Sequence, residues 1–588
     1  MDRTELERNK MNIDSQRLVG AQGIANLWSI IAFLGTLAVM VAIATNIYRF
    51  GGNWDEYNFL AKILMQVRGE LDTTFQTFFV HGFRWLSAVD GNPLDKIESG
   101  RVVSWIASAG TLAALYRVGR EFLPQSGAFV ALFSYVSFSY VIEHLASFRY
   151  DPFTAFLLVS SGASILTRRT AGVIIAGVLF AISTLVTVKS VIYLPALSAL
   201  LFYRIDRDYG SVRLHVLVRT AFQGIAASLF TLIVLGYLHS QSIASSGESA
   251  TFLSKLGAAV NKVGLEAGVF PRMDYALHVA NISYMHILLF IGGLVAAFKG
   301  IIRCHGAERI RLFVLLMLAT PVLSLLFYRN AFSYFYVFML PFPALMCGYA
   351  FDITGKKVQS KWAARLLCAV SIAGLGHSAY FTFNLNSHRD QAVQRSVLAG
   401  IEEIFPDPVA YIDRCGMISE YQKIGFFMST WGLESYRARG EPVMRELILK
   451  NQPKFVLANH RGLVLHLDIS DGPYSLFPAD VEALRANYIP HWGPVYVPGK
   501  YLVLDEEGRA DFEILIAGEY TLENADDVKI DGKLYRAGDV IHLEKGHYKL
   551  DSGVPGAYLL LRWGSNLKVP DFELPDGPLF NGLITVES

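Results

Sequence analysis

Between Leu27 and Phe383 the chain returns repeatedly to apolar runs long enough to cross a bilayer, and this recurrence limits its fold more than any motif does. A hydrocarbon core of roughly 30 Å needs about 18 or more apolar residues for each helical crossing. Windows of this character fall near 27–48, 101–118, 126–142, 152–167, 171–188, 190–203, 219–238, 283–299, 312–328, 333–351 and 364–383. The expectation is a polytopic α-helical membrane protein with about eleven transmembrane helices. No soluble fold needs such a series. Hydrophobic residues make up 53% of the 588 and charged residues only 18%, but from Asn384 onward polar and charged residues return to soluble density. The chain therefore divides into a polar N-terminus (1–26), a transmembrane region (27–386) and a soluble region after it.

The first apolar run is longer than the core of a signal peptide and no small-residue cleavage pattern follows it, so it is expected to stay as the first span. A net charge of +1 without a basic stripe argues against a nucleic-acid partner. The four cysteines, Cys304, Cys347, Cys368 and Cys415, form neither a disulfide framework nor a zinc pattern.

Charge orients the spans, because loops rich in Lys and Arg stay in the cytoplasm. With a cytoplasmic N-terminus, alternate loops carry Arg117 and Arg120, then Arg168 and Arg169, then Arg204, Arg207, Arg213 and Arg219. The next two carry Lys299, Arg303, Arg309 and Arg311, and finally Lys356, Lys357, Lys361 and Arg365. The hairpin over 171–203 is barely long enough for two crossings. An odd number of spans places the C-terminal region outside, which is the periplasm if the source is a Gram-negative cell with the chain in its inner membrane. Two outer segments are long, 49–100 and 239–282. The first holds amphipathic stretches near 54–68 and 73–89 and the second one near 253–265, all read as helices lying along the interface.

The soluble region reads in two parts. Over 387–495 a strand at 408–412, helices at 419–430 and 441–451, a strand at 454–458 and a helix opened by Pro478 make an α/β unit. Over 496–588 short strands, with an Asp531-Gly532 hairpin signal, make a β-sandwich. Neither part carries a catalytic motif, and an accessory role is expected for both.

Chemistry concentrates around the outer loops. Asp55-Glu56 follows the first span; it reads either as acidic residues complementing a helix N-terminus or as a catalytic pair facing a cavity roofed by the interfacial helices. Arg149-Tyr150-Asp151-Pro152 precedes the fourth span, with Glu143 and His144 just ahead, and reads as a surface pair with a helix-opening proline or as a second acidic site. Lys189 and Arg329 fall in short outer turns, where the insertion rule disfavours cations. Snorkelling explains such residues, and so does a lipid-linked phosphate lying at that depth. Tyr334 and Tyr336 add hydroxyl contacts to a substrate or belong to an aromatic belt. Asp206-Arg207-Asp208 reads as a solvated turn, and no glycine-rich phosphate loop follows a strand.

With a cytoplasmic N-terminus, Asp55-Glu56 in the first outer loop, interfacial helices, Arg149-x-Asp151 before the fourth span and an outer C-terminal domain, the chain resembles the GT-C glycosyltransferases. Within them it is most similar to bacterial relatives of protein O-mannosyltransferases and of the aminoarabinose transferases that modify lipid A. The resemblance covers roughly residues 20 to 385 and rests on topology and motif position. It implies a polyprenyl-phosphate sugar donor and a glycolipid, glycan or protein acceptor approaching from outside the bilayer. Asp55 then matches the general base and Asp151 the second acidic position. Arg149, Lys189 and Arg329 are candidates for the donor phosphate, and Glu56, His144, Tyr334 and Tyr336 for substrate positioning. The Trp-Trp-Asp signature of oligosaccharyltransferases is absent, so no metal ligand is assigned and no cofactor is expected to be required. Three rival readings stand beside this one: a lipid-linked sugar flippase, a non-catalytic envelope-assembly protein, and an oligosaccharide ligase of similar fold.

Overall fold

A computed structural model describes residues 26–243, 268–358, 360–468, 471–524 and 527–580. The polar N-terminus and the amphipathic stretch at 253–265 lie outside the described residues. Helix occupies all eleven apolar windows, but not as eleven equal spans. Seven helices are long and apolar enough to cross a membrane: Asn26–Asn46, Pro93–Phe122, Val188–Tyr209, Leu214–Gln241, Tyr284–Arg303, Gly306–Leu326 and Lys361–Leu385. The other four windows hold Gln125–Val136, Tyr150–Ile165, Thr170–Val186 and Ala344–Lys357, which are shorter or interrupted. In the window at 333–351 the cause is local: Pro341 and Pro343 lack the amide a helix interior needs, so the helix Phe335–Met339 stops and a new one starts at Ala344. The chain is a multi-pass membrane protein with a soluble C-terminal domain.

Small residues let the spans approach closely. Gly127 and Gly348 meet where Gln125–Val136 crosses Ala344–Lys357, and a Cβ on Gly348 would lie 2.1 Å from the Gly127 carbonyl oxygen. Lipid tails are as apolar as leucine, so helices associate in a membrane mainly through such close packing. The Leu214–Gln241 helix instead turns Leu214, Phe222, Ile225, Phe230 and Ile233 outward, as a lipid-facing helix does. Asp206-Arg207-Asp208, expected in a solvated turn, sits in the last turns of Leu194–Tyr209, where Arg207 pairs with Glu121 at 3.1 Å.

After the first span the Trp54–Arg68 helix forms as expected. Asn53 and Glu56 build a capping box at its start, and Gly69 ends it in the left-handed conformation. The second stretch differs. Instead of a helix over 73–89 there is one turn at Val80–Phe83 and a 3-10 segment at Arg84–Ala88. Thr77 spends its hydroxyl on the Thr73 carbonyl and Gln76 takes a positive φ of 57°, which a continuing helix excludes.

In the soluble domain Ala410–Ile412 pairs in parallel with Gln422–Ile424 and Phe455–Leu457. The helix expected over 419–430 is a strand followed by a turn at Gly425 (φ 91°), and the helix proper, Thr430–Arg439, begins after the Ser429 cap. The two parts expected on either side of residue 495 share one eight-stranded sheet. Strand Val495–Val503 pairs with Phe455–Leu457 of the α/β part and with Tyr558–Trp563 of the sandwich. A four-stranded sheet completes the sandwich, and Asp531 (φ 45°) with Gly532 (φ 82°) forms its two-residue hairpin.

One apolar core joins domain and membrane region. Tyr57, Leu60, Ile63 and Leu64 of the loop helix bury against Val397, Ile401, Met417 and Phe455. Around it, Gln394 accepts from Gly52 N and the Tyr57 hydroxyl, and Arg395 pairs with Asp95 and Glu98 at the head of the second span.

Replacing Gly348 with Leu forces two backbones apart and is expected to lower the stability of the detergent-solubilised protein by about 1–3 kcal/mol. A thermal melt followed by tryptophan fluorescence checks this; an unchanged melting temperature contradicts the crossing described.

Candidate active site

Glu56, in the first turn of the loop helix, is the residue from which the site is built. Its carboxylate accepts from Arg101 through Nε at 2.8 Å and Nη2 at 2.6 Å, from Asn53 N at 2.8 Å and from Phe148 N at 2.7 Å. Arg101 spends its remaining donors on the Ile47, Phe50 and Gly51 carbonyls. One buried ion pair thus ties together the end of the first span, the loop helix, the head of the second span and the turn that carries Arg149. Burial raises the Glu56 pKa, but the Arg101 charge and these hydrogen bonds outweigh it and hold it below the usual glutamate range.

That turn brings Arg149 to Asp55. The Arg149 guanidinium pairs with the Asp55 carboxylate and, through Nε at 3.2 Å, with Asp151; Asp151 in turn pairs with Lys189. Four charges of alternating sign therefore run in a line. Three are sealed, at 4%, 1% and 2% side-chain exposure for Arg149, Asp151 and Lys189, while Asp55 keeps 22%. Unpaired charges at such burial would be prohibitive, so each requires the next. Asp55 is the most exposed member, and Arg149 beside it lines a small cavity.

Aromatic rings wall the line. Arg149 lies 3.7 Å from the Tyr334 ring centroid, and Lys189 lies 4.7 Å from Tyr150 and 5.0 Å from Phe338. His144 bonds Ser333 at 3.0 Å, next to Tyr334, and lines a small cavity of 60 Å³ with Glu143, Arg149 and Arg389.

Of the residues singled out in the sequence, Asp55, Glu56, His144, Arg149, Asp151, Lys189 and Tyr334 come together. Two stand apart. Arg329 pairs with Glu434 and lies over Trp431, at the junction with the soluble domain. Tyr336 stacks on Phe138 at 5.6 Å and lines an apolar cavity of 140 Å³ between spans, with His286 and Met339. Arg101 was missed by sequence reasoning. Its signal was a cation at the edge of an apolar window, indistinguishable there from an interfacial anchor. Arg414 was missed too; it lies 4.2 Å over Trp54, beside Asp55.

No family model matches the sequence, and no curated protein matches it. Solved structures match in fold. The oligosaccharyltransferase of Archaeoglobus fulgidus in its apo form gives a TM-score of 0.50 at 12% identity, over 79% of this chain and 72% of that one. ArnT from Cupriavidus metallidurans bound to undecaprenyl phosphate gives 0.46 at 12% identity, over 70% of this chain and 86% of that one. The chain shares its fold with the Archaeoglobus fulgidus oligosaccharyltransferase.

Breaking the Glu56–Arg101 pair by Arg101→Met leaves a buried carboxylate uncompensated and is expected to cost about 3–5 kcal/mol. Because the Glu56 pKa is depressed in the fold, its contribution is whole above the ordinary glutamate value of about 4.3 and lost as pH falls through the lower folded value. Wild-type stability should therefore fall below about pH 4, and the fall should be shallower in Glu56→Gln. Melts across pH 3 to 7 decide this; parallel profiles count against the assignment.

Proposed function

We propose that the chain is a membrane glycosyltransferase. It moves a sugar from a polyprenyl-phosphate donor to a hydroxyl on an envelope glycolipid, glycan or protein, at the outer face of a bacterial inner membrane. The observation that carries this reading is the line Asp55–Arg149–Asp151–Lys189, sealed except at its first carboxylate. The fold shared with the Archaeoglobus oligosaccharyltransferase supports it, as does the Lys- and Arg-rich pattern of alternate loops.

In the reaction, Asp55 accepts the proton of the acceptor hydroxyl as its oxygen attacks the anomeric carbon. The bond from that carbon to the phosphate oxygen breaks on the opposite side, its electron pair leaves with the lipid phosphate, and the sugar inverts. Arg149 is paired with Asp55, so an arriving phosphate shares that guanidinium and loosens its hold on the carboxylate. Donor binding and release of the base are then one event. Arg149 and Lys189 together oppose the charge that develops on the leaving phosphate, in surroundings where water is scarce and such interactions are strong. Asp151 keeps the two cations at a fixed spacing. Glu56 is a positioning residue that acts through the turn at Phe148. Tyr334 and His144 wall the sugar site, and the apolar cavity beside Tyr336 offers the polyprenyl chain a place among the spans. Arg329 secures the soluble domain above the site. The reading uses no metal and no other cofactor, since side chains supply the positive charge.

Asp55→Asn keeps the shape of the site and removes the base. Transfer should fall by about 10²- to 10⁴-fold, while binding of undecaprenyl phosphate persists. Sugar transfer from a radiolabelled polyprenyl-phosphate donor into envelope extracts measures it, and substantial residual transfer by the variant would sink the base assignment.

A further inference from the structure

A third cavity, of 330 Å³, lies between the loop helix and the soluble domain, away from the apolar spans. Lys62 and Arg68 line it from the helix and Lys423 from the domain, and Glu70 and Asp72 line it too. Its width is set by one close contact: Gly416, in the left-handed conformation at φ 76°, backs against Ala61, where a Cβ would come within 2.8 Å.

The charges here do not balance locally. Arg68 pairs with Glu70 at 2.9 Å. Lys62, half-buried, has no ion pair and no hydrogen bond among the described residues, and Asp55 and Asp72 act on it only at longer range. The Lys423 ammonium, also half-buried, donates to the Phe426 carbonyl at 2.9 Å and the Gly425 carbonyl at 3.3 Å, with no carboxylate within ion-pair distance. Arg414, next in sequence to the lining residue Cys415, rests on Trp54, and its Nε is buried without a hydrogen-bond partner. Cations taken partly out of water without a counter-charge are costly. Lys62 and Lys423, converging from two domains with Arg414 next in sequence to the lining, describe a place for an anion.

Position separates this place from the donor site. Lys62 follows Asp55 by seven residues, nearly two helical turns, which puts it close to the same face and about 10 Å along the axis. The walls come from the loop helix, the segment after it and the soluble domain, whereas a lipid-borne donor enters through the spans. We propose that this cavity takes an anionic group of the acceptor, a phosphate or a carboxylate, held by Lys62 and Lys423 with Arg414 beside it, while the acceptor hydroxyl reaches Asp55. The proposal rests on the transferase reading. It narrows the acceptor to a molecule that carries an anionic group in addition to the hydroxyl that receives the sugar.

Inorganic pyrophosphate serves as the probe, titrated calorimetrically into the full-length protein in nanodiscs, with undecaprenyl phosphate titrated separately. The wild type should bind pyrophosphate saturably and bind it equally well when undecaprenyl phosphate is already present. Lys62→Gln combined with Lys423→Gln should weaken pyrophosphate binding at least tenfold, Lys62→Arg should retain it, and both variants should bind undecaprenyl phosphate as the wild type does, which shows them folded. Absence of saturable binding to the wild type, or equal affinity in the double variant, overturns the anion site. One-for-one competition between the two probes overturns it as well, because it assigns the cations to the donor. Asp55→Asn should bind pyrophosphate like the wild type. Sugar transfer by that variant would refute the base while leaving the pyrophosphate result intact, so the two readings fail separately.

Discussion

The buried pair of Glu56 and Arg101 is the interaction on which the rest of the arrangement depends. It is expensive in isolation, since two ions taken out of water recover their hydration only through near-complete hydrogen bonding. The fold supplies that. Glu56 receives four donors from three segments, and Arg101 gives its remaining protons to carbonyls at the end of the first span. Neither residue reaches the open end of the site. What they set is direction: the loop helix starts where Glu56 caps it, and the Phe148 amide is drawn in so that Arg149 points at Asp55.

From that anchor the line of alternating charge follows as a packing problem. Asp151 has essentially no access to water and is tolerable only between two cations, while Lys189 is tolerable only against Asp151 and the aromatic rings around it. The three sealed charges leave one positive in excess, which Asp55 balances at the open end. Asp55 has both a fixed direction and an open edge, and the two come from different residues.

Much of this was legible in the sequence, and the reasons differ by element. Apolar length located every helical window because the requirement set by bilayer thickness is strict. The start of the loop helix was signalled by the acidic pair Asp55-Glu56, and the structure adds the Asn53–Glu56 capping box. Asp55, Arg149 and Lys189 stood out because charge at a membrane rim is costly. Their pairing did not, since the contact joins residues 94 positions apart and pattern reasoning sees only neighbours. Arg329 fitted the same charge rule as Lys189, yet it meets Glu434, a partner in a domain whose docking no local pattern records. The stretch at 73–89 had a helical period but threonines that bond their own backbone, and the sheet that joins the two halves of the soluble domain rests on the single long strand Val495–Val503.

The shared core between the loop helix and the soluble domain has a consequence for how such proteins diverge. Tyr57, Leu60 and Ile63 belong to the membrane region by sequence and to the soluble domain by packing. A soluble domain exchanged from a relative would arrive without the half of its interior that this helix provides. The helix also carries Asp55, so any change that accommodates a new domain also turns that carboxylate. The soluble domain and the charged line at the membrane rim are therefore coupled through one helix, Trp54–Arg68.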